Sequence, residues 1–163
     1  MRTITAIVGI LLVGAVAPQR AAGQVTFGAA LSWGDDTDLG LGGRLNFGLG
    51  EVTKKNKIEG RATIDFFFPN GFDYWQITGD GIYQIPTAGA AKPYVGAGLG
   101  YAKASIETMT PLPGYGAGSD LFLNLIGGLR FEPRGNIRPF AEARFQLGDG
   151  SQLVLAGGIY FGR

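Results

Sequence analysis

Strict alternation of side-chain type is the feature that most constrains this chain. Val95, Ala97, Leu99 and Tyr101 alternate with small residues at the positions between them, and similar segments occur about eight times. Successive side chains of a β-strand point to opposite faces, so a period of two gives one apolar face and one small or polar face. A chain built from such segments forms a closed β-barrel or a sandwich.

Eight strands are predicted, each of about 10 residues, the length that a tilted strand needs to cross a bilayer. They lie at about 24–33, 39–49, 58–68, 74–85, 93–103, 120–131, 137–147 and 152–161. Between the second and third, Gly50–Lys57 is predicted to be a polar connection, and Ser105–Ser119 is the longest irregular stretch. Ile82, Phe122 and Ile126 interrupt the alternation. The prediction is therefore an all-β, eight-stranded, antiparallel up-and-down transmembrane barrel.

The first residues have the pattern of an export signal. Arg2 provides a positive charge, Ile4–Ala17 is apolar, and Ala21-Ala22-Gly23 supplies small residues for cleavage. We predict a signal peptide over 1–23 and a barrel domain over 24–163. A transmembrane helical anchor is the alternative, but the apolar run is shorter than the roughly 20 residues that a helical span requires.

Charged residues are separated from apolar ones by strand parity. In the strands as predicted, no charge except Lys103 falls on the apolar parity. The opposite parity carries Arg44, Glu59, Arg61, Asp65, Asp80, Arg130, Arg138, Glu142 and Arg144. Charge on a lipid-facing surface is costly, whereas charge inside a barrel can be paired. This partition favours a membrane barrel. The alternative is a soluble secreted barrel of the lipocalin type, with the apolar parity inside around a small apolar ligand.

Three segments resemble the small eight-stranded outer-membrane β-barrel family, the porin-like outer membrane protein β-barrel domain. They are Lys92–Tyr101, Gly127–Phe131 and Ile137–Phe145. The resemblance implies location in the bacterial outer membrane, contact with the lipid bilayer and insertion by the outer-membrane assembly machinery, which recognises a terminal aromatic residue. Tyr160 and Phe161 match that signal, although Gly162 and Arg163 follow them. The implied function is a structural or porin-like role without an enzymatic site.

Composition and motifs assign no catalytic, cofactor or metal residue. The chain has no His and no Cys, and the lipid A deacylases, palmitoyl transferases and outer-membrane proteases of similar fold use histidine. The net charge of +1 does not indicate a nucleic-acid partner. Asp35, Asp36 and Asp38 resemble a Ca²⁺ cluster but lack a following Glu at the expected spacing, which favours a solvated turn. The glycine runs at 40–43 and 96–98 lack the Lys-Ser/Thr of a phosphate loop.

The interior and the two rims of the predicted barrel remain as candidate sites. The charged set without Arg138 is expected to form a polar plug of ion pairs, because an eight-stranded barrel is just filled by side chains. A path for an ion or small solute between those charges is the alternative. The glycines of the runs at 40–43 and 96–98 are expected to relieve crowding inside. A girdle of aromatic side chains at the membrane interface is predicted from strand-end residues: Trp33, Phe66, Phe68, Tyr74, Trp75 and Phe145.

Overall fold

A computed structural model describes residues 25–53, 56–69, 73–105, 119–132, 136–148 and 151–162. The predicted signal peptide lies outside these residues. The described elements are β1 (Thr26–Gly34), β2 (Asp38–Thr53), β3 (Asn56–Phe67), β4 (Asp73–Gln84), β5 (Ala91–Ser105), β6 (Ser119–Phe131), β7 (Ile137–Leu147) and β8 (Gln152–Phe161). No helix in the described part of the chain is long and apolar enough to cross a membrane.

The eight strands form one closed antiparallel barrel in sequence order. Each strand pairs with its sequence neighbours, and β1 closes the barrel against β8, from Phe27 opposite Phe161 to Gly34 opposite Val154. Closure pairs every strand on both sides, so no strand edge is left open. The predicted fold class, an eight-stranded antiparallel up-and-down barrel, is confirmed.

The even number of strands gives the barrel two distinct ends. Residues 25 and 162 lie at one end, here called the terminal end, together with the connections at 54–55, 85–90 and 132–136. The opposite end, here called the loop end, carries the connections at 35–37, 68–72, 106–118 and 148–151. The longest connection of the barrel, 106–118, therefore belongs to the loop end.

The predicted connection over Gly50–Lys57 is wrong. Strand β2 continues to Thr53 and β3 begins at Asn56, with Glu51 opposite Lys57 and Thr53 opposite Asn56. The register shifts between Gly48 and Gly50 and again between Glu51 and Thr53, and Gly50 has a φ of 146°. Bulges of this kind break strict alternation. The periodicity argument therefore ended both strands too early.

The two faces of the barrel wall follow the predicted parity. Large apolar side chains remain exposed on the outside along all eight strands, among them Leu31, Leu41, Leu99 and Leu125. The inward positions carry buried arginines, carboxylates, amides and hydroxyls. This is the reverse of a water-soluble barrel, in which the apolar face is inside. The lipocalin-type alternative is therefore wrong for this chain.

Three residues that interrupted the alternation lie inside the barrel. Ile82 and Ile126 are buried and form a cluster with Tyr94, and Phe122 is also buried. Inward glycines make room for such side chains. A Cβ added at Gly100 would lie closer than 3.0 Å to the Phe122 ring, and one at Gly96 would meet Ile82 Cδ1 at 2.5 Å. The expectation that glycine relieves interior crowding is confirmed at these positions.

Candidate functional site

The barrel interior is the candidate site, because inward positions of different strands bring distant charged residues together. Arg44 on β2, Arg61 on β3 and Arg144 on β7 all lie near Glu142, also on β7. The residues of this group are separated by as many as 100 positions in sequence. Strand alternation places each of them inward, and closure of the barrel brings them into one layer.

Three arginines and two carboxylates form what we call the central network: Arg44, Arg61, Asp65, Glu142 and Arg144. Arg44 contacts Glu142 at 3.4 Å and Asp65 at 3.8 Å, and Arg144 contacts Asp65 at 2.7 Å and Glu142 at 3.6 Å. Arg61 forms an ion pair with Glu142 as well. All five side chains are at most 1% exposed. A buried charge is tolerated when it is paired and hydrogen-bonded, which this arrangement provides.

Hydroxyl and amide groups extend the central network on both sides. Tyr94 donates to Glu142 Oε2 at 2.8 Å, and Asn46 Oδ1 accepts from Arg61 Nε at 2.9 Å. Ser32 and Gln76 donate to the two oxygens of Asp65 at 3.2 and 3.3 Å. Both carboxylates therefore accept hydrogen bonds in addition to their ion pairs. That fixes their orientation within the lumen.

A second ion pair lies nearer the terminal end. Arg130 on β6 donates to both carboxylate oxygens of Glu59 on β3, at 3.1 and 2.9 Å. Its guanidinium also stacks on Tyr160, with 4.9 Å from Cζ to the ring centre. Two parallel hydrogen bonds of this kind combine charge with a defined orientation. Arg138, still nearer this end, donates to the backbone oxygen of Gly162 at 2.7 Å.

Neutral polar groups form a hydrogen-bonded chain in the half of the lumen nearer the loop end. Gln146 donates to Gln76 at 3.0 Å, and Gln152 donates to the Tyr74 hydroxyl at 3.3 Å. Thr37, in the turn between β1 and β2, donates to Gln152 at 3.3 Å. These hydrogen bonds link the turn to the strands, and the buried Phe67 and Phe122 rings share this half of the lumen with the polar side chains.

The Asp80 carboxylate accepts hydrogen bonds from neutral side chains. Asn124 donates to its Oδ1 at 2.9 Å and Thr78 to its Oδ2 at 2.8 Å. In register, Asp80 on β4 lies directly opposite Arg61 on β3, yet the Arg61 guanidinium turns to Glu142 and Asn46 instead. Among the residues that the structure describes, no arginine lies within ion-pairing distance of Asp80.

All eight residues of the predicted polar plug therefore lie inside the barrel, and seven of them form ion pairs with one another. The plug was expected as a network of pairs, and the contacts confirm that expectation. Sequence reasoning missed the tyrosines. Tyr94 and Tyr160 are almost completely buried and lie beside Arg61 and Arg130. Their placement on the polar parity was the signal that could have identified them.

All but one of the residues predicted for the aromatic girdle face outward near an end of the barrel. Five of its members lie on the outer wall near the loop end, and Trp75 packs 5.9 Å from the Tyr101 ring. Tyr74 was wrong. It has the inward parity of β4, and its hydroxyl accepts the hydrogen bond from Gln152 inside the mouth of the barrel. Sequence reasoning also missed outward rings near the terminal end, which are exposed at Phe27, Phe47, Phe131 and Phe161.

The acidic turn between β1 and β2 has a structural contact. Asp35 Oδ1 accepts from the backbone N–H of Leu153 at 3.0 Å, which ties this turn to the start of β8. Within the described ranges, no group of three or more acidic side chains is arranged to hold a metal ion. The glycines at 40, 42, 96 and 98 lie within strands β2 and β5, and no helix begins after either run.

Comparison with known proteins identifies the fold. No protein-family model matches the sequence, and no curated protein matches it. Solved structures do. The N-terminal β-barrel domain of Pseudomonas aeruginosa OprF aligns with a TM-score of 0.68 at 20% identity, over 86% of this chain and 98% of that one. The fold is that of the small outer-membrane β-barrels.

Two further neighbours are an attachment invasion locus protein and an enzyme. Ail, the attachment invasion locus protein of Yersinia pestis, aligns with a TM-score of 0.58 at 20% identity, over 86% of this chain and 95% of that one. The outer-membrane enzyme PagL aligns with a TM-score of 0.52 at 16% identity, over 84% of this chain and 97% of that one. One barrel architecture therefore occurs both in an enzyme and in an attachment invasion locus protein, so the fold alone does not determine the function.

Proposed function

We propose that this chain is a bacterial outer-membrane β-barrel with a structural or porin-like role and no enzymatic site. The observation that carries the proposal is the inverted distribution of polarity. Large apolar side chains cover the outer wall, while buried ion pairs fill the inside. Hydrocarbon is the solvent that suits such an exterior, and a closed barrel satisfies its backbone hydrogen bonds there. The fold of the solved neighbours supports the same environment.

The remaining parts of the proposal follow from that location. The segment 1–23 serves as a cleaved signal peptide, and the outer-membrane assembly machinery inserts the barrel through its last strand, with Tyr160 and Phe161 as the aromatic signal. Of these two, Phe161 is on the outer wall and Tyr160 is inside. An outward aromatic side chain near the chain end is the one that an external partner can contact. The partners are thus the lipid bilayer and this machinery, with no nucleic acid.

The absence of enzymatic activity is proposed from chemistry. The chain has no histidine and no cysteine, so the commonest general base and the thiol nucleophile are both missing. The buried carboxylates and arginines neutralise one another through ion pairs. An active site needs a group that can reach substrate, whereas these groups are enclosed by the strands and by one another.

Membrane fractionation tests the location. The protein, expressed with residues 1–163 in a Gram-negative host, is expected in the outer-membrane fraction and to remain there after washing with carbonate or urea. The mature size measured by mass spectrometry reports cleavage after residue 23. Release into the soluble periplasmic fraction by either wash would overturn the membrane proposal.

Planar-bilayer recording tests the porin-like part. Because side chains fill the lumen, purified protein is expected to give at most small or infrequent conductance steps. A larger porin added to the same bilayer serves as the positive control. Large, steady currents from the monomer would contradict a filled lumen, and hydrolysis of lipid or peptide substrates by the purified protein would contradict the absence of an active site.

A further inference from the structure

The two ends of the barrel carry opposite charge. In the connections and adjoining strand residues of the terminal end, basic residues outnumber the acidic Glu51 and Glu132. The basic residues are Lys54, Lys55, Lys57, Lys92, Arg134 and Arg138. At the loop end Lys103 is outnumbered by acidic residues. The acidic residues are Asp35, Asp36, Asp38, Asp73, Glu107, Asp120 and Asp149. The polar plug is balanced, with four arginines and four carboxylates, so the difference lies between the two ends.

Two cations of the terminal end contact backbone oxygens instead of carboxylates. Lys92 Nζ donates to the backbone oxygen of Thr87 at 2.7 Å, and Arg138 Nη2 donates to that of Gly162 at 2.7 Å. Neither cation forms an ion pair with any carboxylate in the part of the chain that the structure describes. A backbone oxygen positions a cation but does not neutralise it. Both charges therefore remain available to an anion outside the protein.

These two cations lie at the level of the outward rings of the terminal end. Lys92 is next to the strand pair that includes Phe131, and Arg138 is next to the pair that includes Phe161. Both rings are exposed on the outer wall. Aromatic girdles of outer-membrane barrels lie at the membrane interface, where the lipid headgroups begin. Long cationic side chains at that level can extend their charge towards the headgroups.

We infer that the terminal end of the barrel binds anionic phospholipid headgroups of the leaflet that surrounds it, and that the loop end does not. Clustered lysine and arginine side chains are attracted to anionic lipid surfaces. The hydrocarbon core between the two ends is about 30 Å thick, whereas exposed charges in about 0.1 M salt are screened beyond about 10 Å. Each end therefore responds to its own leaflet. Headgroup binding rests on the proposed location in a membrane.

Site-directed fluorescence measures which lipid gathers at each end. Because the chain has no native cysteine, Ala88→Cys, in the exposed connection next to Thr87, accepts one uncharged fluorophore at the terminal end. Ser151→Cys, also exposed, accepts it at the loop end. Each labelled protein is folded into phosphatidylcholine vesicles that contain a small fraction of lipid with a nitroxide high on its acyl chain. The nitroxide is carried by phosphatidylglycerol in one set of vesicles and by phosphatidylcholine in the other, at equal mole fraction.

The ratio of quenching by the two nitroxide lipids is the readout. At Ala88→Cys, phosphatidylglycerol is expected to quench at least about twofold more strongly than phosphatidylcholine, because the basic end attracts it. At Ser151→Cys the two lipids should quench equally, or phosphatidylglycerol less. High sodium chloride should lower the ratio at Ala88→Cys towards one, since salt screens exposed charges. A ratio of one at Ala88→Cys in low salt, or an equally high ratio at Ser151→Cys, would overturn the inference.

Charge variants identify the residues responsible. Lys92→Gln combined with Arg138→Gln should lower the ratio at Ala88→Cys, and glutamine can still donate to the two backbone oxygens. Lys103→Gln, which removes a positive charge at the loop end, is the matched control and should leave this ratio unchanged. Folding of each variant is checked by its gel mobility before and after heating. A ratio that the double variant leaves unchanged would contradict the assigned cations.

Headgroup binding and the membrane location can fail separately. Protein that folds into the vesicles but shows no preference for phosphatidylglycerol at Ala88→Cys contradicts headgroup binding alone. Protein that folds into neither set of vesicles contradicts the proposed location.

Discussion

Neighbouring residues of one strand experience opposite solvents in this protein. On β6, Asn124 is completely buried in the lumen, whereas Leu125 is 41% exposed on the outer wall. Asn124 donates to Asp80, and Leu125 lies beside Phe145 and Ala97 in the register of the adjacent strands. A substitution that is suitable at one of these positions is therefore unsuitable at the next.

Leu125 tests contact with hydrocarbon directly. Because the chain has no native cysteine, Leu125→Cys provides a single site for a polarity-sensitive fluorophore. In lipid vesicles its emission is expected to be quenched by quenchers attached at the middle of the acyl chain, since Leu125 lies at the centre of β6. Asp36→Cys, in the exposed turn between β1 and β2, is the matched control and should escape those quenchers. Equal quenching at both positions would refute the assigned lipid face.

Glu142 is the residue with the greatest expected effect on stability. It faces three arginines and accepts from Tyr94. Glu142→Gln removes the ion pairs of these arginines with Glu142 and leaves those of Arg44 and Arg144 with Asp65. Removing one partner of a buried ion pair typically costs about 3–5 kcal/mol. The loss is measured by urea unfolding in detergent micelles. Glu132→Gln, at an exposed position after β6, is the control and should stay within about 0.5 kcal/mol. Comparable losses in the two variants would contradict the role of the network.

The two faces of β6 differ in the room that they leave for an added side chain. On β6, a Cβ added at Gly127 would have nothing within 4 Å, whereas one added at Gly128 would lie closer than 3.0 Å to the Tyr94 ring. Gly127 faces outward and Gly128 faces inward. Gly128 is thus required for the close approach of the Tyr94 ring, whereas Gly127 leaves open space on the outer wall.

Alanine substitutions at these two glycines are expected to differ in effect. Gly128→Ala forces the Tyr94 ring to move, and overpacking of this kind costs about 1–3 kcal/mol. Gly127→Ala meets no obstacle and should be neutral or stabilising by up to about 1 kcal/mol, because alanine restricts the unfolded chain. Unfolding midpoints of the two variants in the same detergent provide the comparison. A Gly127→Ala variant as unstable as Gly128→Ala would contradict the described packing.

The success of sequence reasoning differed from element to element. Alternation predicted β7 to the residue, because apolar side chains outside and charged side chains inside impose a clear pattern there. It failed at the β2–β3 turn, where bulges and polar residues interrupt the alternation before the two strands end. The inward charges were predictable from parity, but their pairing was not. Arg61 is opposite Asp80 in register and yet binds Glu142 across the lumen, a choice that depends on the closed barrel.

At the scale of the whole molecule, the two ends of the barrel are unequal. The connections at the terminal end span 54–55, 85–90 and 132–136, whereas the loop end includes 106–118. Outer-membrane barrels have short turns on the periplasmic side and longer loops outside the cell. We therefore predict that the terminal end, with both chain ends, is periplasmic, as the even number of strands requires for both termini together.

Cysteine labelling in intact cells measures this orientation. Asp36→Cys, at the loop end, is expected to react with a membrane-impermeant maleimide. Ala88→Cys, in the exposed connection between β4 and β5 at the terminal end, should react after the outer membrane is permeabilised. Reaction at Ala88→Cys with protection at Asp36→Cys would show that the barrel has the opposite orientation.

Because β1 pairs with β8, the pairing of the strands does not depend on the point in the barrel at which the polypeptide begins and ends. A Cβ added at Gly162 would lie 3.2 Å from the Val25 backbone oxygen, so the described ends of the polypeptide almost meet. A short peptide could join them, and new ends could be opened in the exposed connection at 85–90, at the same end of the barrel. Exposed connections of this kind tolerate circular permutation. The permuted protein would begin with β5 and end with β4 while keeping every strand pair and every ion pair of the lumen.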